Sequence, residues 1–211
     1  MLKPPNLYLM GLTGNIACGK STVVAMLKEL GASTIDADQV THQVQQPGQY
    51  VYHQIVSEFG AAILTAPDGA IDRRKLGAVV FADPTALRRL ERIVHPSVHA
   101  AIVDWLNQVA RMPDHRALTP RPIAVVDAVK LFEAGWKSAC DTTWVVTCTQ
   151  QQQIERLMRY RGMTEAEALQ RVTAQPPQEE RMRQADVIID NSQNLESTYD
   201  QVVTAWQAIR W

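Results

Sequence analysis

Five strand-like runs punctuate the chain, at residues 7–10, 32–35, 123–127, 143–147 and 187–189, each short and bounded by polar or turn-forming residues. Helical patterns separate them. After the first run, Val23, Val24, Met26, Leu27 and Leu30 supply the apolar side of a helix. After the last, Leu195, Tyr199, Val202, Val203, Trp206 and Ile209 do the same for a closing helix. Strands alternating with helices predict the α/β class: a parallel sheet covered by helices on both faces, three layers in all.

Two stretches break this alternation. Residues 39–112 are mostly helical, punctuated at Pro47-Gly48, Pro67-Asp68-Gly69, Pro84 and Pro96, which reads as an inserted lobe. Within it Val98, Ile102, Trp105, Leu106 and Val109 keep helical spacing, and Pro96 predicts a helix start just before them. Residues 112–122, with three prolines, read as a loop returning to the sheet. Residues 150–183 are polar and carry Arg156, Arg159, Arg161, Arg171, Arg181 and Arg183 against five glutamates. Thr164 and Glu167 form a capping box there, and Gln175-Pro176-Pro177 ends the helix it starts. A solvated helical hairpin and a functional flap both fit this charge pattern. The expected organisation is one domain, with its core at 1–38, 113–149 and 184–211, an inserted lobe at 39–112 and a second helical excursion at 150–183.

The chemistry enters at residues 14–21, GNIACGKS, a full match to G-x-x-x-x-G-K-[ST] between the first strand and the first helix. Gly14 and Gly19 let the backbone turn tightly and bring N–H groups against phosphate oxygens. Lys20 reaches the β and γ phosphates, and Ser21 can hold Mg²⁺. The helix N-terminus adds orphan N–H groups and its dipole. The second strand ends at Asp36-Ala37-Asp38. Parallel strands end along one edge, so this carboxylate pair is expected to share a crevice with the phosphate loop. No N-K-x-D tetrapeptide is present, which disfavours a GTPase.

Bulk properties narrow the partners. With 211 residues, 46% hydrophobic, the chain can bury one sizeable core. A net charge of −1 argues against a large nucleic-acid footprint and for a small substrate. Cys18, Cys140 and Cys148 are odd in number and lack C-x-x-C spacing, so neither a disulfide framework nor a zinc site is expected. Cys18 reads as a small side chain turned away from ligand. No run approaches a membrane span, and the first residues lack a signal peptide's apolar stretch, which predicts a soluble, cytoplasmic protein. Oligomeric state stays open.

Several motifs together resemble the dephospho-CoA kinase family: GLTGNIACGKSTV at 11–23, IDAD at 35–38, DRRKLGAVVF at 72–81, LERIVHP at 90–96, LFEAG at 131–135, QIERLM at 153–158, RVTAQ at 171–175 and ADVIIDNS at 185–192. The resemblance implies a three-layer P-loop NTPase fold with a helical acceptor-binding insertion and a helical lid. It implies transfer of the γ-phosphoryl of ATP to the ribose 3′-hydroxyl of dephospho-CoA, with Mg²⁺. By the same resemblance ATP falls on Asn15, Ala17, Cys18, Gly19, Lys20, Ser21 and Thr22, with Arg156 from the lid and Asn191 after the last strand. The general base falls on Asp38, and Arg73 and His95 fall on the acceptor side. Arg171 is a second lid arginine for phosphate contact. Asp36 has two roles open, a metal-bound water or the cap of the next helix. His95, before Pro96, has contact with the acceptor or simple capping and packing. The chain departs from the family at Asn15, Ala17-Cys18, Ala128-Val129-Lys130 and Tyr160, the last standing where a lid arginine is common. Rival readings are a kinase for another small acceptor and an ATP-responsive protein without transfer.

Overall fold

The computed structural model describes residues 3–112 and 120–210. The loop expected at 112–122 therefore lies largely outside the described residues. The chain forms two compact units, residues 1–35 with 106–211, and residues 36–105.

The first unit is built on a five-stranded sheet of order β2-β3-β1-β4-β5. It contains β1 (Tyr8–Gly14), α1 (Lys20–Glu29) and β2 (Ser33–Asp36) at the start of the chain. There follow α2 (Ala37–Val44), α3 (Tyr50–Phe59) and α4 (Arg73–Ala82), then α5 (Pro84–Arg111), of which residues up to Trp105 fall in the second unit. The sheet resumes with β3 (Ile123–Asp127) and β4 (Thr142–Thr147). Next come α6 (Gln150–Arg161), α7 (Glu165–Thr173) and α8 (Gln178–Met182), then β5 (Val187–Asp190) and α9 (Leu195–Gln207). All five strand-like runs of the sequence are strands, and the class is α/β as expected.

Every residue of β1 is buried, which follows from its central place. It pairs in parallel with β3 on one side and β4 on the other. Tyr8, Met10 and Leu12 alternate onto the face covered by α1 and α9, where they meet Val23, Met26, Leu27 and Val202. Leu131 and Cys140 crowd the position of Gly11 on the other parity. Each fully buried leucine here contributes about 1.5–3 kcal/mol by leaving water. The strand runs past its apolar stretch to Gly14 because Thr13 and Gly14 still pair with Val145 and Val146. A Cβ on Gly14 would sit 2.6 Å from the Val146 carbonyl oxygen, so only glycine lets the chain leave the sheet at this spacing.

The second unit has its own core of Val51, Tyr52, Ile55, Ile63, Leu64, Leu76, Val80, Ala86 and Val94. Asp36 and Asp72 cap α2 and α4 by accepting two backbone N–H groups each. One sequence expectation fails here: Pro96 does not start a helix but lies inside α5, a 28-residue helix. A proline there removes the N–H that the Arg92 carbonyl would accept. Arg92, His95 and Pro96 are all exposed, so water can serve that carbonyl. Buried Val94 on one side and Ile102, Leu106 and Val109 on the other hold the helix continuous across the break. Packing has overridden the local signal.

Residues 150–183 are not a merely solvated hairpin. Ile154, Leu157, Ala168 and Val172 form a small buried core against which Ile16 and Ala17 of the phosphate loop pack. Thr149 with Gln152, and Thr164 with Glu167, make capping boxes for α6 and α7. Among the described residues no helix is long and apolar enough to cross a membrane.

Candidate active site

The phosphate loop links β1 to α1, and its shape is set by two left-handed residues, Ala17 at φ 59° and Gly19 at φ 89°. Glycine is required at 19 on a second ground. A Cβ there would stand 2.0 Å from the Asn191 Nδ2. Within the described residues the N–H groups of Gly19, Lys20 and Ser21 have no protein acceptor, whereas Thr22 and Val23 donate to the Gly19 carbonyl at 3.0 and 3.3 Å. Unsatisfied donors at a helix N-terminus are a ready site for an anion. The loop lines a cavity of 790 Å³ whose wall also includes Val129, Arg156, Tyr160, Arg161, Gln193 and Leu195. The Gly14–Thr22 stretch named from the sequence thus lines one cavity.

Side chains of α6 and of the residue that follows β5 hold the backbone of the loop. Arg156 donates to the carbonyls of Ala17 at 3.2 Å and Asn191 at 2.9 Å. The Asn191 Nδ2 donates to the Cys18 carbonyl at 2.8 Å, and its Oδ1 accepts from the Thr198 hydroxyl at 2.9 Å. Asn191 is therefore a strut for the loop, and Gln193 and Leu195 are the neighbouring cavity residues whose side chains are not tied this way. Arg171 is exposed and does not line the cavity, while Arg161 and Tyr160 do. The Arg159 guanidinium lies 5.4 Å from the Tyr160 ring centre. Two of the five N–H groups of Arg156 serve carbonyls, leaving others for a phosphate. Lysine has one nitrogen and cannot reproduce this fork. Arg156→Lys is expected to lower the ATP-dependent rate by about tenfold or more despite keeping the charge. A rate within twofold of wild type would show that charge alone suffices.

Lys20, the first residue of α1, is ion-paired with Asp127 at the end of β3. The motifs of the sequence do not single out Asp127, although it carries a signal: an apolar strand closing on an acid at the same sheet edge as the loop. Asn15, which the resemblance places on ATP, spends its side chain on protein. It donates to the Pro176 carbonyl at 3.0 Å and accepts from Arg181, which also donates to Glu133 at 3.2 Å. Cys18 is fully buried, as expected for a side chain turned from ligand. The thiol hydrogen bond from Cys148 lowers its pKa, and the same bond together with burial raises that of Cys148. Burial, with Asp141 nearby, pushes Cys140 up to about 12.

In the second unit Asp36 takes the cap: its Oδ1 accepts from the N–H groups of Asp38 at 2.8 Å and Gln39 at 3.0 Å. Asp38 is left exposed in the first turn of α2. One turn on, at i+4, is His42, which the sequence reading did not single out and to which Arg73 donates a hydrogen bond. Burial and the adjacent Arg73 lower the His42 pKa, against the pull of Asp38 and Asp36. A neutral ring is what accepting from arginine requires. Asp38, His42 and Arg73 thus form one cluster. His95 is exposed and shares a separate 620 Å³ cavity with Thr85, Arg88, Glu91, Arg92 and Pro96. With α5 continuous through Pro96 it has no helix end to cap, and its exposure excludes a packing role.

A parallel sheet with a G-x-x-x-x-G-K-[ST] loop after its central strand and that lysine and serine opening the first helix defines the P-loop NTPase fold. Comparison with known proteins gives the narrower assignment. The dephospho-CoA kinase family model matches residues 8–197. The dephospho-CoA kinase of Symbiobacterium thermophilum is 46% identical over 200 residues, covering 95% of this chain and 80% of that protein. Among solved structures, a Thermus thermophilus protein superposes with a TM-score of 0.80 at 29% identity, over 96% of this chain and 97% of that one. The dephospho-CoA kinase of Campylobacter jejuni gives 0.67 at 26% identity, over 95% and 96%. The chain belongs to the dephospho-CoA kinase family and is a kinase of the final step of coenzyme A synthesis.

Proposed function

We propose that the enzyme binds ATP in the 790 Å³ cavity and transfers its γ-phosphoryl to the ribose 3′-hydroxyl of dephospho-CoA. The observation that carries the ATP half is the set of backbone donors at Gly19, Lys20 and Ser21, which have no protein acceptor among the described residues and flank the lysine that phosphate needs. Lys20 exchanges Asp127 for the β and γ phosphates when nucleotide enters. Arg156 adds positive charge from the lid, and Tyr160 and Arg161 complete that wall. Gln193 and Leu195 are the side chains we assign to the base.

On the acceptor side, Asp38 orients the ribose hydroxyl and takes its proton as the new O–P bond forms and the bond to the ADP oxygen breaks. Arg73 and His95 are assigned to the phosphates and ribose of the acceptor. Phosphoryl transfer leaves little covalent work for the protein, so positioning and cationic stabilisation carry the rate.

Mg²⁺ fits this site. Among the described residues no cluster of three or more His, Cys, Asp or Glu side chains could cage a metal. Mg²⁺ typically takes one or two protein oxygens and completes its shell with water and substrate phosphates. Ser21 and Asp127 are the residues we assign to it, in place of Asp36, whose Oδ1 is committed to the α2 cap. When bound it neutralises charge on the β and γ phosphates.

The test is ADP release from ATP and Mg²⁺ with and without dephospho-CoA. Release is expected to depend on that acceptor, with 3′-phosphorylated product. Equal turnover on nucleosides or nucleotides would select the rival kinase reading. Tight ATP binding with no transfer to any acceptor would select a binding protein.

A further inference from the structure

Ala17 holds a left-handed backbone, φ 59°, that an L residue adopts only where its surroundings over-determine it. The residue before it supplies the grip. The Ile16 N–H donates to the Gln175 Oε1 at 2.7 Å, and the Ile16 carbonyl accepts from the Gln153 Nε2 at 2.8 Å. Two side-chain amides, one from α6 and one from the segment after α7, thus take both polar groups of a single loop residue. Its side chain packs on the Ile154, Leu157, Ala168 and Val172 core of the same two helices. Gln153 is 4% exposed and also lies 3.3 Å from the Cys18 sulfur. Gln175 lines the ATP cavity.

We propose that Gln153 and Gln175 are positioning residues that clamp Ile16 and so hold the phosphate loop in its strained, phosphate-accepting shape before nucleotide arrives. This rests on the reading that the loop binds ATP. The two amides have opposite duties. Gln175 acts through its oxygen, a function glutamate keeps. Gln153 acts through its nitrogen, which a carboxylate cannot replace.

If the loop is preorganised by the clamp, releasing it lowers the fraction of protein ready to bind, and the apparent ATP dissociation constant rises in inverse proportion to that fraction. The bound loop is unchanged, so kcat is not the parameter that suffers. Gln153→Met and Gln175→Met are each expected to weaken MgATP about three- to tenfold, measured by calorimetry, with kcat within about twofold. The double variant should be little worse than either single one, because one released side already frees the loop.

Hydrogen exchange at the Ile16 amide in nucleotide-free protein reads the clamp without any ligand. Protection should fall in Gln175→Met and return in Gln175→Glu, which keeps the acceptor. Gln153→Glu, which loses the donor, should not recover the affinity lost in Gln153→Met. If Gln153→Met fails to fold, the two Gln175 variants decide alone. Unchanged MgATP affinity in the Met variants, or Ile16 protection no higher in Gln175→Glu than in Gln175→Met, overturns the proposal. Absence of MgATP binding to the wild-type protein would instead sink the ATP-site reading on which it rests.

Discussion

Lys20→Ala is expected to lower turnover by about 10²–10³-fold, the range for removing one preorganised charge-stabilising group at a reacting centre. Lys20 is the only lysine of the loop, at the first position of α1, and among the described residues no other lysine lines the cavity. The ion pair with Asp127 complicates the reading of stability. Asp127 has 9% of its side chain exposed, and removing its lysine costs that carboxylate a charge-assisted hydrogen bond, worth about 1.5–3 kcal/mol. The single variant should therefore melt earlier than wild type while remaining folded by circular dichroism. Adding Asp127→Asn removes the carboxylate charge that Lys20 had balanced and is expected to raise the melting temperature again without restoring turnover. Recovery of activity in that double variant would mean that Lys20 serves only to neutralise Asp127, and the phosphate assignment would fail.

Asp38→Asn is expected to cost about 10²–10⁴ in kcat, the usual range for a lost general base, with ATP affinity little changed. The fold should not suffer, because Asp38 is exposed and the α2 cap belongs to Asp36. Asp36 offers the matching control. Asp36→Asn keeps a good capping side chain, whereas Asp36→Ala removes it and should destabilise by about 1 kcal/mol. Neither should approach the kinetic loss at Asp38. Should Asp36→Asn abolish turnover at every Mg²⁺ concentration while Asp38→Asn retains most of it, the two carboxylates must exchange roles.

The lysine and the two aspartates differ in how legible they were. The loop motif names Lys20 and Ser21 by spacing alone, since only a few backbone paths join a buried strand to a helix through two glycines. Asp38 owes its assignment to the family resemblance, and nothing in residues 36–38 says which carboxylate caps. That was decided by α2 beginning at Ala37, which puts Asp36 at the N-cap and its Oδ1 on two N–H groups. Asp127 was readable in principle as the acid ending an apolar strand. Its importance appears only when β3 pairs with β1 and the side chain meets Lys20, 107 residues away in sequence. Pro96 shows the opposite failure, a local signal that packing on both sides of the break outweighs.

By itself, the sequence determined the class of fold, the five strands, the phosphate loop and the family, because each depends on local periodicity or on residues close together along the chain. Tertiary structure alone decided what holds the loop. Gln153, Arg156, Gln175 and Asn191 reach its backbone from positions more than a hundred residues later, and Arg181 reaches the side chain of Asn15 in the same way. Glutamine, asparagine and arginine in a polar, charge-balanced segment look like solvated surface. Their roles follow from which carbonyls and N–H groups the fold leaves unpaired beside them, and those partners are set by long-range packing that no local pattern encodes.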